Sequence, residues 1–140
     1  MKGSTIVYAT DGSPHARKAL EWAIEMARGR QARVIVVTAY EPIPRDLGSP
    51  YLEELMARRP AEGQAVAREA TAILEREGVP FEEEVLEGPA ADAILRVART
   101  RNCDLIVMGS RGLGRLEAAL LGSVSQRVVQ EAPCPVLIVR

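Results

Sequence analysis

Short apolar runs alternate along this chain with longer stretches in which apolar residues recur every three or four positions. That alternation of a strand-like and a helical period predicts an α/β domain. Thr5 to Thr10 (TIVYAT) and Arg33 to Tyr40 (RVIVVTAY) have continuous apolar centres rich in β-branched residues, as strands covered on both faces do. Between them Ala16, Leu20, Ala23, Ile24 and Ala27 share one helical stripe, so Pro14 to Arg28 is predicted as an amphipathic helix. Ser13 can cap it, Pro14 suits its first position, Gly29 supplies a stop, and Trp22 falls at the margin of the stripe. Val66, Ala70, Ile73 and Leu74 mark a second helix, ended by Gly78 and Pro80. Phe81 to Glu87 (FEEEVLE) is the most polar strand candidate, which suits a sheet edge. Gly88-Pro89 opens a third helix with Ala91, Ile94, Leu95 and Ala98 on its buried side. Leu105 to Met108 is a short strand between Asp104 and Gly109, a fourth helix runs from Ser123 to about Glu131, and Val136 to Val139 is the last strand.

Five strands alternating with four helices, without an internal repeat or a linker, predict a single domain over 1–140. Its sheet is open and mostly parallel, with helices on both faces. The stretch from Glu41 to Gly63 breaks the pattern with four prolines and two glycines, and only Tyr51 to Met56 looks helical. It is expected to be irregular, serving either as a flap over a ligand or as a tolerated surface insertion.

Composition narrows the function. A formal net charge of -1 argues against a dedicated nucleic-acid binder, and no run is long and apolar enough to cross a bilayer. Met1 to Ser4 enters the first strand without a signal peptide's pattern, so a cytoplasmic protein is expected. Cys103 and Cys134 lack CxxC spacing and read as buried free thiols rather than a metal or redox site. His15, the only histidine, has no evident carboxylate partner and reads as an exposed helix-start residue.

The candidate chemistry lies between Asp104 and Val129. A glycine turn at the carboxyl end of a strand, feeding a helix amino terminus, binds anions through backbone N–H groups that a Cβ would obstruct. Here Gly109 is followed after two residues by Gly112 and after nine more by Gly122-Ser123, with Arg111 and Arg115 to add charge and Ser125 a further hydroxyl. Neither a Walker loop nor a dinucleotide fingerprint fits. Arg115 and Leu116 replace the Walker lysine and hydroxyl, and Glu117 stands where a third glycine belongs.

The spacing G-x2-G-x9-G-[ST], together with Asp11-Gly12-Ser13 after the first strand and the closing Pro133 to Val139, resembles the universal stress protein family over the whole chain. The resemblance implies a Rossmann-like fold of the adenine nucleotide alpha hydrolase type, with strand order 3-2-1-4-5. In that order Asp11 and Gly109 end the two strands at the topological switch, where open α/β sheets bind ligands. It further implies ATP, with magnesium on the phosphates, and an Asp11 that contacts the ribose or reaches the phosphates through the ion. Ala9, Thr10, Ala39, Met108 and Val124 match positions that line the adenosine pocket, although small apolar residues would also suit any core. No nucleophile with a base is evident, so hydrolysis is expected to be slow or absent. The alternatives are a true ATPase or adenylyl-transferring enzyme on the same fold, and a nucleotide-free interaction module. The pyrophosphatase relatives carry a serine-glycine-glycine loop from which Thr10 to Ser13 departs. Finally, the resemblance implies a homodimer paired through the last strand, Val136 to Val139.

Overall fold

The computed structural model describes residues 4–111 and 121–140. β1 (Thr5–Ala9) leads through α1 (Pro14–Arg30) to β2 (Arg33–Tyr40), and α2 (Tyr51–Arg76) leads on to β3 (Phe81–Glu87). From there α3 (Ala90–Thr100), β4 (Leu105–Gly109), α4 (Ser123–Glu131) and β5 (Val136–Val139) complete the chain. The strands form one sheet in the order β3-β2-β1-β4-β5, and every neighbouring pair is parallel. Both the element order and the strand order are those expected.

The two-residue period of a strand sorts the core into layers. In β1, Ile6 and Tyr8 join Leu20, Ala23, Val34, Val36, Ala67 and Leu74 on the face covered by α1 and α2. Val7 and Ala9 turn the other way, with Ile35, Val37, Ile94, Leu95, Ile106 and Val128 under α3 and α4. Each fully buried aliphatic side chain contributes about 1.5–3 kcal/mol. β1 and β4 are buried at every position. The sheet is therefore most deeply buried at the pair that carries the switch.

One turn recurs where α1, α2 and α3 each hand over to a strand. Gln31, Gly78 and Asn102 adopt left-handed φ values of 52°, 72° and 49°. In each case the left-handed residue's N–H bonds three residues back: Gln31 to the Arg28 carbonyl, Gly78 to Glu75, and Asn102 to Arg99. The next N–H bonds five back, Ala32 to Ala27, Val79 to Leu74 and Cys103 to Ala98. This is a Schellman motif, which satisfies the last helical carbonyls and buries the following residue. It corrects the expected end of α1. Gly29 stays helical, and the helix runs on to Arg30 because the cap is built on Gln31.

A larger correction concerns 41–63. Only residues 41–50 are loop; α2 begins at Tyr51 and continues through Pro60 and Gly63. The half-buried and buried positions Leu52, Leu55, Gly63, Val66, Ala67, Ala70 and Leu74 form a single helical stripe that runs across both supposed breakers. Gly63 is not a stop. A Cβ there would lie 2.9 Å from Val85 Cγ1, so the glycine lets α2 pack closely over β3. Burial along the stripe offsets the roughly 3 kcal/mol that an interior proline costs.

β3 is the polar edge that its sequence suggests. Glu82 bonds to Arg33 and Arg101, Glu84 to Arg101, and Glu83 to Gln64. The hydrogen bonds with Arg101 hold the Glu82 carboxyl below its ordinary value. Among the described residues no helix is long and apolar enough to cross a membrane.

Gln31 is the one helix-ending position where a long side chain occupies the left-handed region at the close of α1. Gln31→Gly should raise stability by about 0.5–1 kcal/mol, by relieving the Cβ penalty. Urea unfolding monitored by circular dichroism would check this, and a loss of stability would contradict it.

Candidate functional site

A cavity of about 280 Å³ opens at the carboxyl ends of β1, β2 and β4. β1 and the turn after it contribute Ala9, Thr10, Asp11 and Ser13, and β2 contributes Val37 and Ala39. β4 and its exit supply Met108, Gly109 and Arg111. The start of α4 supplies Gly122, Ser123, Val124 and Ser125. Every expected site residue within the described segments lines this cavity. Gly112 lies outside them, as does Arg115.

The β1 turn is held by local hydrogen bonds. Asp11 Oδ1 accepts from the Ser13 N–H at 2.9 Å, and Thr10 Oγ1 accepts from the Gly12 N–H at 3.1 Å. Gly12 has φ +80°, which disfavours a side chain there. Ser13 Oγ then accepts from the Ala16 N–H at 3.3 Å and caps α1. Below, the buried Tyr8 hydroxyl donates to the Ala16 carbonyl, and burial pushes its pKa up to about 12.

At β4 the geometry is tighter. A Cβ on Gly109 would lie 2.8 Å from His15 Cβ and 3.0 Å from the Ala16 backbone nitrogen. Gly109 is thus required by the first turn of α1 packing on it, quite apart from any ligand. Ser110 follows, buried, and ties three elements together. Its N–H donates to Val139 of β5 at 2.8 Å. Its carbonyl accepts from the Gly122 N–H at 2.7 Å and from Ser125 Oγ at 2.6 Å. Its own Oγ lies 2.8 Å from His15 Nδ1. These links seat the amino end of α4 beside the end of β4.

The site therefore combines an apolar side with a polar mouth. Gly122 is the N-cap of α4 and has no side chain to cap with, so the first-turn N–H groups, which lack intrahelical acceptors, are left for another partner. Ser123 is exposed at the start of that helix, and Arg111 adds a cation. This is anion-binding chemistry next to a slot walled by Ala9, Val37, Ala39 and Met108. Ser125 also has a structural part, because it is buried and donates to the Ser110 carbonyl.

Several participants were not anticipated. Val37 could have been found, since it lies two residues before Ala39 and so on the same face of the strand. Ser13 and Ala16 enter with α1, and Ala90 and Ile94 with the first turn of α3. Ala90 and Ile94 carry no local signal of a site. No residue of 41–63 lines the cavity, so of the two roles open to that stretch the structure favours a surface insertion over a flap. His15 is half-buried against Ser110 rather than simply exposed. Burial, then the charges of Arg111 and Lys18, lower its pKa below the ordinary 6.5.

Comparison with known proteins gives a consistent result. The sequence profile of the universal stress protein family matches residues 4–140. A universal stress protein of Thermus aquaticus is 50% identical over 137 residues, covering 97% of this chain and 98% of that one. UspA of Lactobacillus plantarum superposes with a TM-score of 0.87 over 100% of this chain and 99% of its own, at 24% identity, a likeness of fold. A universal stress protein solved in complex with cAMP superposes with a TM-score of 0.74 at 30% identity, over 98% and 97% of the two chains.

Because the fold favours neutral His15, its contribution to stability is whole above the unfolded value of 6.5 and is lost as pH falls through the lower folded value. The melting temperature of the wild type should therefore fall relative to His15→Gln on acidification across that window. A difference between the two proteins that stays constant with pH would contradict this.

Proposed function

The chain belongs to the universal stress protein family, and from that premise we propose that it is an ATP-binding member, acting as a nucleotide-dependent binding module in a stress response. One observation supports the reading above the others. Residues expected from separate stretches of sequence line a single cavity at the β1–β4 switch, with a helix amino terminus at its mouth. A volume of about 280 Å³ lies near the lower end for small-molecule sites and matches a nucleoside with its phosphates left at the opening. In this reading the adenosine lies along Ala9, Val37, Ala39 and Met108. The phosphates meet the amino end of α4 at Gly122 and Ser123, with Arg111 adding charge.

Magnesium fits this arrangement as a companion of the phosphates, for which one carboxylate suffices. Among the described residues no cluster of three acidic or metal-ligating side chains could hold it alone. Asp11 is exposed and lines the mouth, so it is the residue that would hold the ion, directly or through water. The ion would neutralise phosphate charge there. Hydrolysis is slow or absent on this reading, because a base must reach the attacking water. His15 does not line the cavity, and Asp11 Oδ1 is engaged by the Ser13 N–H.

The family premise also supports a homodimer through β5. This strand is the free edge of the sheet, with Val136, Leu137 and Ile138 only partly buried. Pro135 and Val139 turn their carbonyls toward β4, accepting from Ile106 and Ser110. By alternation, Val136 and Ile138 present their backbone groups to the open edge, where a second β5 can pair.

Two measurements test these readings. Titration calorimetry of emptied protein with ATP and magnesium should give heat, and Gly122→Val should abolish it while circular dichroism shows the same helix and strand content. No heat from the wild type at about 1 mM ATP, where even a site near -4 kcal/mol would be half filled, would overturn the ATP reading. For the dimer, light scattering should report twice the chain mass of 15.2 kDa. Ile138→Pro, which removes an outward N–H, should return it to the monomer. A wild type that stays monomeric at high concentration would overturn the β5 pairing.

A further inference from the structure

Cys103 and Cys134 are far apart in sequence, yet their sulfurs lie 3.2 Å from each other. The fold brings them together. Asn102 takes the left-handed position that ends α3, which turns Cys103 inward just before β4. Cys134 lies just before β5, whose register against β4 is set by the Ile106–Val136 pair. Both side chains face the core layer under α3 and α4, and both thiols are free. The pair sits at the amino ends of its strands, at the opposite end of the sheet from the cavity, and neither cysteine lines it.

We propose that Cys103 and Cys134 are a modification site for hydroperoxides, forming a reversible intrachain disulfide that staples the starts of β4 and β5. Closing the bond requires the sulfurs to approach to about 2.05 Å, a movement of little more than 1 Å from the present contact. The two thiols are not equivalent. Cys103 is buried, whereas Cys134 is partly exposed and can meet an oxidant from solvent. Burial and, after it, the hydrogen bond with Cys134 together push the Cys103 thiol up to about 12. Burial also raises Cys134, but there the same hydrogen bond acts in the opposite direction. Cys134, the more exposed of the two, is the sulfur that meets the oxidant and attacks.

The electrons balance in two steps. The Cys134 thiolate attacks a peroxide oxygen, the O–O bond breaks, and Cys134 becomes a sulfenic acid while the peroxide leaves as water or an alcohol. Cys103 sulfur then attacks Cys134 sulfur, the S–O bond breaks, water leaves, and the S–S bond forms. Two thiols lose two electrons and two protons, and the peroxide gains both. A small dithiol reverses the bond by exchange. With Cys103 buried and Cys134 only partly exposed, oxidant reaches the pair slowly, so the site answers sustained oxidant and acts as a stabiliser rather than a rapid sensor. The closed loop spans the residues between Cys103 and Cys134, which include Gly109, Gly122, Ser123 and Ser125. Closing this loop restricts the unfolded chain, which is the source of the added stability.

The test uses the full chain, reduced and then exposed to excess hydrogen peroxide. Intact mass should fall by about 2 Da, both thiols should resist alkylation after denaturation, and a peptide pair joining Cys103 to Cys134 should appear. The melting temperature should rise by about 10 °C and return on treatment with dithiothreitol. Cys103→Ser and Cys134→Ser should each lose the rise while remaining folded. The heat of ATP titration should differ by no more than about twofold between the two redox states, as expected for distant sites. Any of three results would overturn the proposal: two thiols that remain alkylatable, oxygen added to Cys134 without linkage, or a bond between chains. A bond that forms without raising the melting temperature would overturn the stapling role. None of these outcomes depends on whether the cavity binds ATP.

Discussion

The geometry of the site depends on the backbone and hydroxyl of one small residue. Ser110 leaves β4, and each of its polar groups has a partner on a different element: Val139 of β5, Gly122 and Ser125 of α4, and His15 of α1. Buried polar groups must be paired, and each such pairing fixes a direction. Ser110 therefore sets where α4 begins relative to α1. A larger side chain there would separate α1 from β4, and the position beside it leaves no room, since Gly109 meets the first turn of α1 at the distance of a missing Cβ.

This close approach explains where a small domain opens its cavity. β1 and β4 are neighbours in the sheet, but their helices pack on opposite faces, α1 on one and α4 on the other. The chain diverges at the carboxyl ends of these two strands, and the gap between the diverging segments is the cavity. The starts of α1, α3 and α4 all contribute to its walls. The same convergence brings the first-turn N–H groups of α4 to the opening, where they add positive potential to that of Arg111. A protein with net charge -1 can thus offer an anion site.

The opposite end of the sheet is organised by a different rule. The same capping turn closes three helices, and in each the residue after the left-handed one is buried at the threshold of the next strand. Ala32 and Val79 use that position to complete the core. Cys103 uses it to reach Cys134. The two ends of the sheet therefore differ in construction, one built on helix starts and the other on helix-ending turns.

Much of this was legible in the chain itself. Hydrophobic period marked every strand and helix type, because burial on two faces or one stripe leaves a pattern that does not depend on partners. The glycine spacing and Asp11-Gly12-Ser13 pointed to the strand ends that line the cavity. Other features came only with the tertiary structure. Pro60 and Gly63 carry the signal of helix breakers, and α2 passes through both because packing against β2 and β3 outweighs local preference. Ser125 lines the cavity, as its hydroxyl suggested, but only the structure shows that it also fastens Ser110. Ala90 and Ile94 reach the cavity from a helix with no motif at all. The meeting of His15 with Ser110 and of Cys103 with Cys134 joins residues distant in sequence, which no periodicity encodes. Local pattern determined what each segment would become, since that is a matter of burial and backbone conformation. Which side chains would touch was decided by strand order and by how closely the helices could approach the sheet.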